Sequence, residues 1–298
     1  MIGIIGTVPD PDFPLTCGVV QWDGDSLVID GRRVTVNRGT PALLGAALKA
    51  GGSIGAPPIH GILVGDIGKG GGSRRLYQFL ENELPLWDFS VLTFHYLQPD
   101  VDWHNRVLFA IESMRQRPQL IADAGFMYAA KMSGQAPAYD FFTPDAGELA
   151  FLADETAPHP FYTRGFILHG NNDLPTLIQR AYAHGNAARY LLVKGATDYI
   201  VEQGRIAATV NHPSFEAMEA IGGTGDTLTG LLTVLCAAGY APIQAALLAA
   251  QANRLAGSLA NPNPATQIAE LIVHIPEALA RRLREGSRPA ILTERDSP

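Results

Sequence analysis

The chain of 298 residues predicts a three-layer α/β/α sandwich with a mainly parallel central sheet. Two observations predict it. Short apolar runs at 62–64, 90–94, 119–122, 141–142 and 190–193 alternate with amphipathic stretches at 75–84, 104–114 and 174–184. The runs are apolar throughout rather than at every second position, the pattern of strands covered on both faces by crossover helices. Before them, residues 1–40 read as short strands and turns, with 26–29 and 33–36 forming a hairpin around Asp30-Gly31. After Thr40-Pro41, Leu43, Leu44, Ala47 and Leu48 recur at helical spacing, and Gly51-Gly52 is expected to stop that helix. From Asp226 onward three helical stretches follow, at 226–238, 242–260 and 265–284. One domain over 1–284 is expected, with a charged, frayed tail at 285–298.

The composition narrows the class of function. A formal net charge of −7, with the basic residues in no dense block, opposes binding to nucleic acid. No apolar stretch reaches the roughly 18 residues that span a bilayer, so no membrane partner is expected. Cys17 and Cys236 stand far apart, in neither a disulfide framework nor a zinc-ligand spacing, and a reducing cytoplasm fits best. No secretion signal is expected, because Pro9, Pro11 and Pro14 interrupt the N-terminal stretch.

The stretch 220–230 carries the chemistry. Gly222-Gly223-Thr224-Gly225-Asp226 is a glycine-rich turn running into an apolar helix. Glycines admit positive φ and close approach, and the first amides of a helix have no intrahelical acceptor, so Gly223, Thr224 and Gly225 form a ready anion cradle. A carboxylate among such amides competes with phosphate unless it has work to do there. Proton removal from an attacking hydroxyl is that work for Asp226; a helix cap is the structural alternative.

The motif resembles the Gly-Thr-Gly-Asp signature of the ribokinase-like superfamily, and specifically its branch of ADP- or ATP-dependent NAD(P)H-hydrate dehydratases. Other segments are similar in the same order: Leu120-Ile121-Ala122-Asp123-Ala124, Thr143-Pro144-Asp145-Ala146-Gly147-Glu148, Leu192-Val193-Lys194-Gly195, and the helices near 245–257 and 265–279. Together they cover about residues 118–280. The resemblance implies a ribokinase-like fold, ATP or ADP as phosphoryl donor, Mg²⁺, and a small-molecule acceptor. It implies Asp226 as catalytic base, Lys194 and Gly195 near the nucleotide phosphates, Asn253 as an adenosine contact, and Asp145 with Glu148 orienting magnesium and its waters. A strand terminus and a helix cap are the plain alternatives for the second and the last of these. Asp123, at a strand's carboxyl end, lies where open parallel sheets bind ligands.

The N-terminal third departs from that branch. Its glycine-rich strand-turn and its Gly-Pro-Gly-Leu-Gly stretch are not recognisable here. The nearest counterpart is 63–73, where Asp66, Lys69 and the amides between Gly65 and Ser73 offer a substrate-side phosphate clamp, with a surface turn as the alternative. It is neither a Walker loop nor a dinucleotide fingerprint. Glu216 and Glu219, just before the signature, either hold a cation or face solvent. The reading is a phosphoryl-transfer enzyme, most like an NAD(P)H-hydrate dehydratase. A kinase for a sugar or vitamin precursor and a non-catalytic nucleotide-binding protein are the alternatives. The apolar helices after Gly230 bury a face either internally or in a homo-oligomer.

Overall fold

The computed structural model describes residues 1–156 and 173–286. Of the expected tail, 287–298 lie outside the described residues. The sheet is built around β1 (Ile2–Val8), a strand buried along its whole length. On one side β1 pairs in parallel with β5 (Ile59–Gly65), and on the other with β6 (Val91–His95). The parallel run continues through β7 (Gln119–Ala122), β8 (Phe141–Phe142) and β9 (Tyr190–Val193).

Antiparallel strands extend both edges. Beyond β5 lie β2 (Thr16–Asp23), β3 (Ser26–Ile29) and β4 (Arg32–Thr35); beyond β9 lie β10 (Asp198–Glu202) and β11 (Arg205–Val210). The spatial order is β11-β10-β9-β8-β7-β6-β1-β5-β2-β3-β4. The β3–β4 hairpin turns on Asp30 and Gly31, at φ 48° and 73°. These positive values suit a two-residue turn matched to strand twist.

Side chains leave the sheet alternately on two faces, and helices cover both. One face carries Ile2, Ile4, Leu63, Ile121 and Leu192 against α1 (Thr40–Ile54) and the C-terminal helices. The other carries Ile5, Ile62, Val64, Leu92 and Phe94 against α2 (Gly71–Glu83), α3 (Val101–Glu112), α4 (Ala124–Met132), α5 (Ala146–Ala153) and α6 (Leu174–Ala183). The C-terminal helices are α7 (Thr224–Ala237), α8 (Pro242–Ala260), α9 (Ile268–Ile272) and α10 (Ile275–Gly286).

Four local expectations change. β1 is a full central strand, not part of a region of short pieces. α1 runs through Gly51-Gly52 and ends at Gly55 in the left-handed conformation, because burial of its apolar face outweighs glycine's low helix propensity. The stretch 265–284 breaks into α9 and α10. The antiparallel β10–β11 pair is an addition to the strands read from the sequence. Among the described residues no helix is long and apolar enough to cross a membrane, and both cysteines are free.

The connection leaving β1 runs toward β2 and β5, whereas the one leaving β6 runs the other way, to β7. The switch point therefore opens between the carboxyl ends of β1 and β6, where open α/β sheets place ligands. Helix α7 is pinned over this point. Thr233 bonds Thr93 of β6 at 2.7 Å, and Thr229 bonds Asp123 beyond β7 at 2.7 Å and Thr143 beyond β8 at 3.0 Å. Gly230 lets α7 close on α1, since a Cβ there would collide with the Leu43 carbonyl oxygen. Gly230→Ala is expected to lose stability on the order of 1–3 kcal/mol in urea denaturation, despite alanine's better helix propensity. Unchanged or increased stability would refute the close-packed contact.

Candidate active site

A cleft of about 570 Å³ lies in front of the α7 N-terminus. The sequence places that terminus by Gly223, whose φ of 106° is open to glycine but strained for other residues. Thr227 N–H makes the first helical bond, to the Gly223 carbonyl at 2.9 Å. Among the described residues, the amides of Thr224, Gly225 and Asp226 make no hydrogen bond, as the first turn of a helix requires. They are oriented so that they could donate to an anion in the cleft.

Asp226 is the third residue of α7. It lines the cleft, with its side chain 12% exposed. It does not cap its own helix. Its Oδ2 accepts Gly39 N–H at 2.6 Å, and its Oδ1 lies at hydrogen-bond distance, 3.1 Å, from His95 Nε2. Gly39 is the residue that opens α1, so the carboxylate sits between the N-termini of two helices. Burial raises its pKa, but the His95 hydrogen bond and charge, the Lys194 ammonium and the Gly39 amide outweigh that and hold it below the ordinary carboxylate value.

Lys194, just past β9, lies alongside Gly225 and donates to both oxygens of Asp123, each at 2.9 Å. Burial lowers the Lys194 pKa, yet the carboxylates of Asp123, Glu148 and Asp226 raise it more, so the ammonium stays charged. Asp123 is 1% exposed and also accepts from Thr229 and from Ala124 N–H, capping α4. The two residues expected in separate nucleotide and substrate roles thus form one ion pair at the cleft floor.

Asp145 and Glu148 line the same cleft and form a reciprocal capping box at the start of α5, with both bonds at 2.8 Å. Burial, opposed by Lys194 and reinforced by Asp123 and Asp145, pushes the Glu148 carboxyl up. Asn253, on α8, accepts from Thr227 Oγ1 at 2.7 Å and donates to the Thr224 carbonyl at 3.0 Å. It lines the cleft while bracing the first turn of α7. Gly195 also lines it, with its N–H on Asp198 and its carbonyl on Arg254. Of the two glutamates before the signature, Glu219 lines the cleft and Glu216 is not among its lining residues.

Asp66 and Lys69 are not among the lining residues either. The physical reason is local. The Asp66 carboxylate accepts from the amides of Gly68, Lys69, Gly70 and Ser73 and from Ser73 Oγ, at 2.8–3.1 Å, so the donors expected to clamp a phosphate serve the protein's own cap.

Sequence reasoning missed Gly39, His95 and Tyr96. His95 ends an apolar strand run, as Asp123 and Lys194 follow theirs, and that shared position was the available signal. Tyr96 has φ 54°, an unusual value for a bulky residue, and this exposed residue lines the cleft. Burial and the nearby carboxylates push its phenol pKa up, so it stays a neutral donor. One ligand atom each from His95, Asp123 and Asp226 lies within 4.8 Å of the others, close enough for a metal. These atoms are already committed: Asp123 to Lys194 and Thr229, Asp226 to Gly39 and His95. The Lys194 ammonium supplies the positive charge that an ion would bring.

The sequence profile of the NAD(P)H-hydrate dehydratase family matches residues 99–280, more than half of the chain. The chain belongs to this family. An uncharacterised protein of Methanocaldococcus jannaschii is 40% identical over 243 residues, spanning 81% of this chain and 100% of that protein. An ADP-dependent (S)-NAD(P)H-hydrate dehydratase of Cenarchaeum symbiosum is 34% identical over 119 residues, which are 40% of this chain and 36% of that enzyme. Among solved structures, the ADP/ATP-dependent NAD(P)H-hydrate dehydratase of Bacillus subtilis superposes with a TM-score of 0.55 at 13% identity, covering 94% of this chain and 88% of that one. A ribokinase-like protein of Enterococcus faecalis gives 0.54 at 16% identity, covering 94% and 86%. These likenesses establish the ribokinase-like fold.

The buried pair makes a direct prediction for this family member. Lys194→Met leaves the Asp123 carboxylate unpaired and is expected to cost about 3–5 kcal/mol in urea denaturation, whereas the double change with Asp123→Ala recovers much of that loss. A single variant as stable as the wild type would contradict the pairing.

Proposed function

We propose that the protein is an ADP- or ATP-dependent NAD(P)H-hydrate dehydratase. A hydroxyl of hydrated NADH or NADPH takes the terminal phosphoryl group of the nucleotide, and departure of that phosphate together with a proton from the adjacent ring carbon restores the nicotinamide ring. The observation that carries this reading is Asp226, held at the cleft beside three helix amides with no partner among the described residues.

Asp226 accepts the proton of the attacking hydroxyl. Its lowered pKa makes it ionised at neutral pH and a weak base, which suits a transition state in which the phosphoryl group is largely detached before the new bond forms. Its first task is then to orient the hydroxyl, and its second to take the proton late. The amides of Thr224, Gly225 and Asp226 receive the equatorial oxygens of the phosphoryl group, already oriented and with the positive end of the helix dipole behind them. An ammonium has three donors. Lys194 uses its contacts to Asp123 for two directions, leaving a third for a phosphate oxygen. Gly195 and Asn253 form the wall offered to the nucleotide.

Magnesium fits the acidic wall. Asp145 and Glu148 present carboxylates to the cleft, and the raised pKa of Glu148 marks a place where added positive charge is favourable. Cations of this kind keep several waters and need few direct protein ligands, so these two residues would hold the ion through its waters. When bound, it neutralises charge on the nucleotide phosphates.

The test measures phosphate and nucleoside diphosphate or monophosphate release with hydrated NADH and hydrated NADPH, each with ATP and with ADP, against a panel of small alcohols. Asp226→Asn is expected to lower turnover by about 10²–10⁴-fold. Equal rates for wild type and variant would remove Asp226 from the reaction, and turnover of an alcohol alone would assign a kinase instead.

A further inference from the structure

Asp226 also meets a histidine that no motif marked. His95 is 1% exposed at the end of β6. Its Nε2 lies 3.1 Å from Asp226 Oδ1, and its Nδ1 lies 3.0 Å from Thr40 Oγ1, the hydroxyl of a threonine with no exposed surface at the start of α1. The fold makes room for this line of groups. A Cβ at Gly6, on β1, would collide with both Thr40 Oγ1 and the His95 carbonyl oxygen. Gly39, next to Thr40, supplies the amide on Asp226 Oδ2.

We propose that His95, backed by Thr40, is a positioning residue that clamps the Asp226 carboxylate for its reaction: Nε2–H donates to Oδ1 while Gly39 N–H donates to Oδ2, leaving the remaining acceptor positions for the cleft. The inference rests on Asp226 being the base. An ionised carboxylate only accepts, so the hydrogen between it and His95 resides on Nε2. Thr40 holds the ring from its other nitrogen, in the way outer partners fix the tautomer and orientation of a working imidazole. Two donors on two different oxygens remove the rotation that a carboxylate at a cleft wall would otherwise have. Each donor also favours the charged form, so the same clamp sets the pH at which the base is ready.

Among the described residues, the charged or titratable groups that interact with Asp226 besides His95 include Lys194 and Tyr96, with Asp123 and Glu148 around Lys194. Lys194 also stabilises the charge on Asp226, whereas Asp123 is neutralised by Lys194 and lies 3.9 Å from His95 Nε2. None of them replaces the donor that His95 provides to Oδ1.

The first readout needs no substrate. The ¹³C resonance of the Asp226 carboxyl is titrated in the wild type, in His95→Leu, which removes the donor, and in His95→Gln, whose side-chain amide reaches the Nε2 position. The Asp226 pKa is expected to rise by about one unit or more in His95→Leu and to stay within about half a unit of wild type in His95→Gln. Because the pKa rises, the acid limb of turnover moves to higher pH in His95→Leu, with kcat down about tenfold and the nucleotide KM within twofold. If His95→Leu fails to fold, ¹⁵N shifts of the wild-type imidazole decide instead: a protonated Nε2 supports the clamp, and an unprotonated Nε2 overturns it. An Asp226 titration unmoved by His95→Leu also overturns it. The outcomes separate from those of the functional reading: loss of activity in Asp226→Asn with an unmoved titration in His95→Leu leaves the base standing and removes the clamp.

Discussion

A buried carboxylate needs donors, and the arrangement of this site follows from how Asp226 obtains them. Its own helix cannot supply them without closing the anion cradle. They come from outside: one amide from the opening of α1 and one imidazole from the end of β6. The three first-turn amides of α7 are thereby left for a ligand. His95, the Lys194 ammonium and the Gly39 amide favour the charged carboxylate against the desolvation that opposes it.

That arrangement demands that α1, α7 and the ends of β1 and β6 meet at fixed distances. Glycine at position 6 admits Thr40, and glycine at 230 brings α7 against α1. Thr229 and Thr233 then tie α7 to the strand ends below it. Threonines in an otherwise apolar helix are poor helix formers, and their hydroxyls here serve as cross-links between layers. Arg254 extends the bracing to the other wall, donating to Asp198 at 2.7 Å and to the carbonyls of Gly195 and Ala196 at 2.7 and 3.0 Å. The cleft is therefore lined largely by groups whose geometry is set by contacts behind them, which is the condition for electrostatic catalysis by preorganised dipoles.

How much of this was legible in the sequence depended on whether the signal was local. The layered parallel sheet followed from fully apolar runs such as 190–193, and the hairpin from Asp30-Gly31, because strand burial and turn type are written in adjacent residues. Gly223 to Asp226 were legible for the same reason. The Lys194–Asp123 pair was not, since its members lie 71 residues apart and each was assigned alone. His95 and Gly39 were missed because their roles arise only when β6 and α1 converge on α7. In the glycine-rich stretch at 65–73 the amides do converge on an anion, but it is the carboxylate of Asp66 inside the same stretch. A carboxylate in a glycine-rich stretch is ambiguous by sequence: Asp66 accepts from the amides of its own turn, whereas Asp226 takes its partners from other elements and lines the cleft.

The central claim is that the open amides of α7 receive the terminal phosphate beside Asp226. Titration of ¹⁵N-labelled protein with ATP and magnesium tests it most directly, by following the backbone resonances of Thr224, Gly225 and Asp226. The account predicts that these three move downfield together and saturate with the nucleotide. Saturation that leaves them unmoved while resonances elsewhere shift would contradict it.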